Sequence, residues 1–265
     1  MGFMMITSLA VATMFVGMVL FSELGRRAGI AHLARTGGSL AQGAGAAEAA
    51  VFGLLGLLLA FTFSGAASRF EDRRHLITTE ANAIGTAYLR LDLLAADDQP
   101  QLRQLFRTYA EARASVYSDV DNPAATEATM ATGTALQLQI WTQALNASQR
   151  PGAAPQAGML LLPALNDMID ITTTRAAATQ NHPPLIIFVL LGVLGFIGAL
   201  LVGYSTSLNK RRSWLHTLMF AAVLAITVYV IVDLEFPRLG LIRVSGADQM
   251  LLDVRASMDE PAPAQ

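Results

Sequence analysis

The sequence predicts an all-α membrane protein: four transmembrane helices, with a helical extramembrane domain between the second and third. Three observations carry this. The chain of 265 residues is 53% apolar and only 14% charged, whereas about a quarter of the residues in an ordinary soluble domain are charged. Mean hydropathy is +0.45, which lies on the membrane side of the balance. Four segments also supply the roughly 20 mostly apolar residues that a helix needs to cross a hydrocarbon core of ~30 Å. An open sheet is excluded at that depth, because lipid cannot satisfy the unpaired groups along its edges.

The first segment, Phe3–Phe21, carries no charge before Glu23. A cleaved leader is the competing reading, but Met1–Ala10 holds no Lys or Arg and the apolar run is long for one. Arg26–Gly45 reads as a Gly- and Ala-rich loop carrying Arg26, Arg27 and Arg35. The second segment, Ala49–Ala67, ends at Arg69. The third, Pro184–Tyr204, is tied to the fourth, Trp214–Val232, by a turn holding Lys210, Arg211 and Arg212. Trp214 stands where an interfacial anchor belongs.

Between the second and third segments the chain is mostly polar and its periodicity is helical. The apolar positions run Phe70, Ile77, Ala81, Ile84, Tyr88 and Leu91 and after Phe70 follow one another in steps of four and three, which is one face of a helix. No break separates them from the second segment, so one helix is expected to run on to about Leu94. Asp97, Asp98 and Pro100 mark a helix start, and Asp121, Asn122 and Pro123 mark another. Arg150–Gly158 reads as a turn, and a last helix is expected from Leu160 to about Gln180. In the tail, Pro237 and Gly240 break the fourth helix, Leu241–Val244 has an extended composition, Met250–Val254 forms a helical turn or two, and Asp259–Gln265 is expected to be disordered. The resulting division is 1–63 for the first two membrane helices and their loop, 64–183 for the helical domain, 184–232 for the third and fourth membrane helices, and 233–265 for the tail.

Composition also removes functions. A net charge of −2 gives no basic field for nucleic acid. The absence of cysteine removes disulfides, thiolate metal sites and a cysteine nucleophile. His32, His75, His182 and His216 are scattered, so no metal site is expected. There is no phosphate loop, nucleophile elbow or zinc motif, hence no cofactor and no enzyme is expected. Ionisable residues are missing from the depths of the spans, which argues against a pump or an ion-coupled carrier.

Several patterns suit a path across the membrane. Gly195, Ala199 and Gly203 lie four apart, as do Gly56, Ala60, Ser64 and Ser68; such ridges let helices approach closely, either within the chain or between subunits. Beyond the second span, Ser68, Asp72, His75, Thr79, Asn82 and Thr86 step by four and three and form one polar stripe, either a hydrated path or a plain solvated face. Phe52, Leu59 and Phe63 form an aromatic and aliphatic stripe that serves either as a constriction or as ordinary packing. Arg69, Arg73 and Arg74 sit at the lipid–water boundary, where arginines contact lipid phosphate or attract anions to a pore mouth.

The block from Phe61 to Leu94 is similar to the second-helix region of the bestrophin anion channels. That family follows a small-residue stretch with Arg, aromatic, any, acid, any, Arg, any, Leu, and here Arg69, Phe70, Asp72, Arg74 and Leu76 occupy those places. The chain more closely resembles the bacterial bestrophin-like proteins, a family of unknown function. The match lies in Ser64–Leu93 and in the tail around Asp233, Pro237, Gly240, Ile242, Arg243 and Val244. Glu71 stands where bestrophins carry a larger aromatic, Ser64–Gly65–Ala66 replaces an Asn-rich stretch, and no acidic cluster resembles a calcium clasp. The resemblance implies a homo-oligomeric pore for chloride or another small anion, in bestrophins a pentamer, in a bacterial inner membrane. The other class of function is a membrane-anchored helical sensor or scaffold. Basic residues are equally numerous on the two sides of the spans; short loops weigh more in the positive-inside rule and place the helical domain outside, while the resemblance places that domain and the termini in the cytoplasm.

Overall fold

The computed structural model describes residues 2–36, 44–116, 122–208 and 214–259. It contains eight α-helices among those residues: α1 (Gly2–Thr36), α2 (Ala44–Leu89), α3 (Gln99–Ser115), α4 (Pro123–Ala147), α5 (Ala157–Gln180), α6 (Leu185–Ser205), α7 (Trp214–Glu235) and α8 (Ser245–Ser257). No described residue lies in a strand. The four helices long and apolar enough to cross a membrane begin at or near Gly2, Gly45, Ala157 and Trp214, the third taking in α6. The chain is therefore a multi-pass membrane protein.

The elements differ from the sequence expectation at their ends. Arg26–Thr36 is not a loop: α1 stays helical to Thr36 and α2 begins at Ala44, because no proline interrupts either and Gly25 and Gly29 sit against neighbouring backbone and side chains; the rest of the expected loop, 37–43, lies outside the described residues. The uninterrupted second helix is observed, α2 running 46 residues before a single 3₁₀ turn, Arg90–Leu93. Asp98 occupies the N-cap position of α3 without a side-chain capping bond; its carboxylate instead takes Arg150. Asn122 caps α4, its side-chain oxygen accepting from the Ala125 amide at 3.2 Å, which satisfies one of the orphan donors of a helix start. Leu241–Val244 forms bends and joins no sheet, and the tail helix α8 is longer than the turn or two expected. Asp121, Lys210–Arg212 and the last six residues lie outside the described part of the chain.

Two compact units divide the chain. The first, Met1–Arg69 with His182–Leu241, is the membrane unit. Its buried centre is Met18, Leu55, Leu191, Leu194, Ala199, Ala221 and Leu224. Small residues do the joining here, since lipid gives helices no hydrophobic reason to associate. A methyl group added to Gly25 would overlap the Leu200 carbonyl, and one added to Gly203 would overlap the Ser22 carbonyl. Two glycines thus bring α1 and α6 into backbone contact. Around this crossing Phe21 stacks on Phe196 at 5.0 Å. The α6 ridge of Gly195, Ala199 and Gly203 is consequently consumed within the chain, its residues all buried.

The second unit is Phe70–Asn181 with Ile242–Gln265. Its core gathers Ile77, Ile84, Leu91, Leu102, Phe106, Tyr109, Ile140, Leu161, Leu165 and Met168 from α2 to α5, closed by Leu251 and Met258 of α8 and its C-cap. The apolar face anticipated on α2 is the face that is buried. Of the residues the helical period selected, Ile77, Ala81, Ile84 and Leu91 are each at most 1% exposed, while Phe70 and Tyr88 are half-buried at its edge.

Candidate functional site

The outer face of α2 is the surface to which most of the candidate residues belong. Within the span, Gly53, Gly56, Ala60, Ser64 and Ser68 are exposed, and a methyl group built on Gly53 or Gly56 would meet nothing. The two small-residue ridges therefore differ: that of α6 is packed internally, while that of α2 is open.

Phe52 and Leu59 line a groove of about 420 Å³ together with Gly56 and with Phe220 and Val223 of α7. Phe52 meets the Phe220 ring edge-on at 5.7 Å. Phe63 does not line this groove, and 44% of it is exposed. The structure thus brings two members of that stripe together against α7 and leaves the third facing outward.

The polar stripe divides similarly. Asp72, His75, Asn82 and Thr86 are exposed and Thr79 is half-buried, its hydroxyl donating to the His75 carbonyl at 3.0 Å. Thr79, Asn82 and Thr86 share an open groove of about 450 Å³ with Asp167, Asp170 and Thr174 of α5. The helical step of α5 sets the two aspartates and Thr174 on one face, opposite the α2 hydroxyls. Its polar lining consists of carboxylates, hydroxyls and the Asn82 amide, with no basic side chain, and Ala83, Ala164 and Ile171 complete the walls.

The three boundary arginines have three different settings. Arg69 grips Glu235 in the membrane unit, its Nε donating to both carboxylate oxygens at 2.9 and 3.1 Å and a terminal nitrogen closing the fork. Such two-pronged pairs are the geometry guanidinium groups favour. Arg73 is buried in the second unit and donates to the carbonyls of Ala178 at 3.1 Å and Asn181 at 2.9 Å. Those carbonyls end α5, where helix geometry leaves acceptors without partners and the dipole favours a cation. Arg74 is half-exposed, pairs with Glu71 at 2.9 Å, and lies over the Phe70 ring at 5.9 Å.

The sequence reading missed a buried ionic cluster in the second unit. Glu80 has no exposed side-chain surface and is gripped by Arg113 of α3 and Arg175 of α5. Asp248 of α8 lies 3.9 Å from Arg175. Beside it, Gln137 donates to the Tyr109 hydroxyl at 3.0 Å, and burial, opposed by the nearby Arg113 charge, pushes the Tyr109 hydroxyl up to about 12. A signal existed: Glu80 falls between Ile77 and Ala81 on the apolar face, where an unpaired charge is not tolerated. Its partners on other helices could not be read from α2.

The tail block has a structural reason. Asp233 is 2% exposed and its carboxylate accepts the Leu241 amide at 2.9 and 3.1 Å. Any side chain on Gly240 would overlap that carboxylate. The aspartate and the glycine together shape the turn that ends α7. Among the described residues no group of three or more His, Asp or Glu could hold a metal ion.

Residues 42–248 match the sequence model of the Bestrophin-like domain. No protein of curated function matches the chain in sequence at a significant level. Among solved structures, a bacterial bestrophin homologue from Klebsiella pneumoniae carrying a single substitution is similar at a TM-score of 0.65 and 13% identity, the match covering 93% of this chain and 99% of that one. The crystal structure of a membrane protein variant is similar at a TM-score of 0.64 and 14% identity, covering 93% and 98%.

Proposed function

The chain belongs to the Bestrophin-like family, and from that premise we propose that it assembles into a homo-oligomeric ion channel whose path is lined by the outer face of α2. One observation carries this reading. Within the span Gly53, Gly56, Ala60, Ser64 and Ser68 form an exposed strip of small residues on α2, flanked by the exposed Leu54, Leu57, Phe61 and Phe63, and a methyl group built on Gly53 or Gly56 would meet nothing. Exposed serines are poorly suited to acyl chains, but they suit a close helix neighbour or a column of water. In this reading Phe63, the outward member of its stripe, is the constriction, and Phe52 and Leu59 brace α2 against α7. The stripe from Ser68 to Thr86 continues the wetted surface.

The resemblance implies a small anion such as chloride, while the charges along the polar stripe of α2 and the groove beside it favour a small cation. Arg69 and Arg73 spend their donors inside the protein and Arg74 is matched by Glu71. Asp72, Asp167 and Asp170 remain on open surfaces. Acidic walls concentrate cations.

Reconstitution of the purified oligomer in planar bilayers under a potassium chloride gradient tests both levels of the proposal. Current is expected, with a reversal potential on the cation side that moves towards zero in Asp72→Asn. A reversal potential on the chloride side would overturn the ion assignment and leave the channel standing. Silence from an intact oligomer across several salts would overturn the channel, and a silent monomer or dimer would leave a membrane-anchored sensor or scaffold. We place the termini in the cytoplasm of a bacterial cell; a reporter fused after Gln265 that works only in the periplasm would reverse that.

A further inference from the structure

We propose that neighbouring copies of this chain join through a ridge on one flank of α2 and a groove on the other, a head-to-tail contact that closes a ring around the strip of small residues. The inference rests on the oligomeric reading above and names the surfaces that carry it. Three surfaces follow one another around α2 within the span. Gly53, Ala60 and Ser64 form the exposed middle strip. At 3.6 residues per turn, about 100° per residue, Leu57, Phe61 and Leu54 lie roughly 60–120° to one side of Ala60, and Phe52 and Leu59 roughly 80–100° to the other.

The first flank protrudes: Leu54, Leu57 and Phe61 are each more than half exposed. The second flank is hollow. Phe52, Gly56 and Leu59 form one wall of the groove of about 420 Å³, and Met219 and Val223 of α7 belong to the other. Gly56 keeps its wall low, since a methyl group built there would meet nothing. A row of side chains entering the furrow of a neighbour is the general way in which helices pack. Ridge and groove also occupy the same stretch of α2, Leu54 to Phe61 and Phe52 to Leu59. All copies share one bilayer, so a ridge meets a neighbour's groove only at its own depth. Head-to-tail contacts at one level close into a ring, whereas an offset along the axis produces an open spiral.

The strip between the flanks decides what covers them. Glycine, alanine and serine on an open helix face suit a close neighbour or water better than acyl chains. A lipid tail lying in the groove leaves that strip facing hydrocarbon. A second copy on each flank withdraws the strip from lipid and turns it towards the shared axis. Each chain gives its ridge to one neighbour and its groove to the other, so the lined path is incomplete in any single copy.

The chain contains no cysteine, so introduced cysteine pairs test the contact in the full-length protein without background. Leu57→Cys and Val223→Cys variants bearing different affinity tags are co-expressed, and their membranes are treated with copper phenanthroline. A disulfide requires Cβ atoms about 4 Å apart, which only the ridge and groove of adjoining copies provide. A cross-linked dimer carrying both tags is expected, with none from either variant alone. The double variant Leu57→Cys/Val223→Cys should give a ladder that ends at the size of the ring. Leu54→Cys with Met219→Cys repeats the test about one turn away and decides it should Val223→Cys fail to accumulate. Cross-linking of Leu57→Cys with itself, in place of the mixed pair, overturns the head-to-tail arrangement. An oligomer of intact mass in which neither mixed pair cross-links overturns the ridge and groove and leaves the oligomer standing. A monomeric mass overturns the oligomeric reading itself, and this contact with it.

Discussion

Glu235 in the membrane unit and Glu80 in the helical unit are both carboxylates with no exposed side-chain surface, yet they are neutralised differently. Glu235 faces one arginine that is 25% exposed and an imidazole that is 30% exposed. Glu80 faces two arginines that are 7% and 4% exposed. The first is a pair at the margin of its unit, where the arginine keeps some access to water. The second is a closed junction at which α2, α3 and α5 meet, with α8 supplying Asp248 to offset the surplus positive charge. Burial of the carboxylate alone therefore does not measure what the cluster does. The exposure of the cations that remain after it is removed does.

Three substitutions or titrations sharpen that contrast. Glu80→Met should have the largest effect, about 3–5 kcal/mol of destabilisation, because it strands two desolvated guanidinium groups; chemical denaturation in mild detergent, followed by circular dichroism, reads it. A loss under 1 kcal/mol would mean that Asp248 alone balances the cluster. Next is alkaline titration of the Tyr109 hydroxyl beside the same cluster. Its folded value of about 12 exceeds the ordinary 10.0, so between those pH values the unfolded chain gives up a proton that the folded chain keeps. Stability is unaffected below pH 10 and falls as pH rises towards 12, by about 2–3 kcal/mol in all. Tyr109→Phe should remove that part of the fall, visible as a flatter pH dependence of the unfolding midpoint. The smallest effect is expected from Glu235→Gln. The amide oxygen still accepts from Arg69, and the guanidinium retains some water, so about 1–2 kcal/mol is lost. A loss equal to that of Glu80→Met would erase the distinction between margin and junction.

How far the sequence could be read follows the same division between local and distant causes. The four spans and the uninterrupted α2 were legible because length, hydropathy and a 3.6-residue period are properties of contiguous residues. The buried face of α2 was legible for the same reason. The extension of α1 to Thr36 was hidden because Gly25 and Gly29 look like loop residues in isolation. They are small because Leu200 and Ser207 lie against them, and those neighbours are far away in the chain. The arginines at 69, 73 and 74 were visible as a group, but each found a different partner, two of them more than a hundred residues away. The charge pattern of α2 contained neither Glu235 nor the carbonyls at the end of α5. Glu80 was out of place on an apolar face, and that anomaly could have announced the cluster without naming Arg113 or Arg175.

The bond from Arg73 to Asn181 has a consequence for chain architecture. It spans 108 positions, yet it brings the beginning and the end of the stretch from Phe70 to Asn181 within reach of one side chain. A segment whose ends meet is an insertion rather than a link. Inserted domains of this kind can be exchanged, shortened or excised without stretching the chain that hosts them. A single arginine closes that seam, but α8 of the tail closes the same core, so the unit that could be exchanged is Phe70–Asn181 together with Ile242–Gln265.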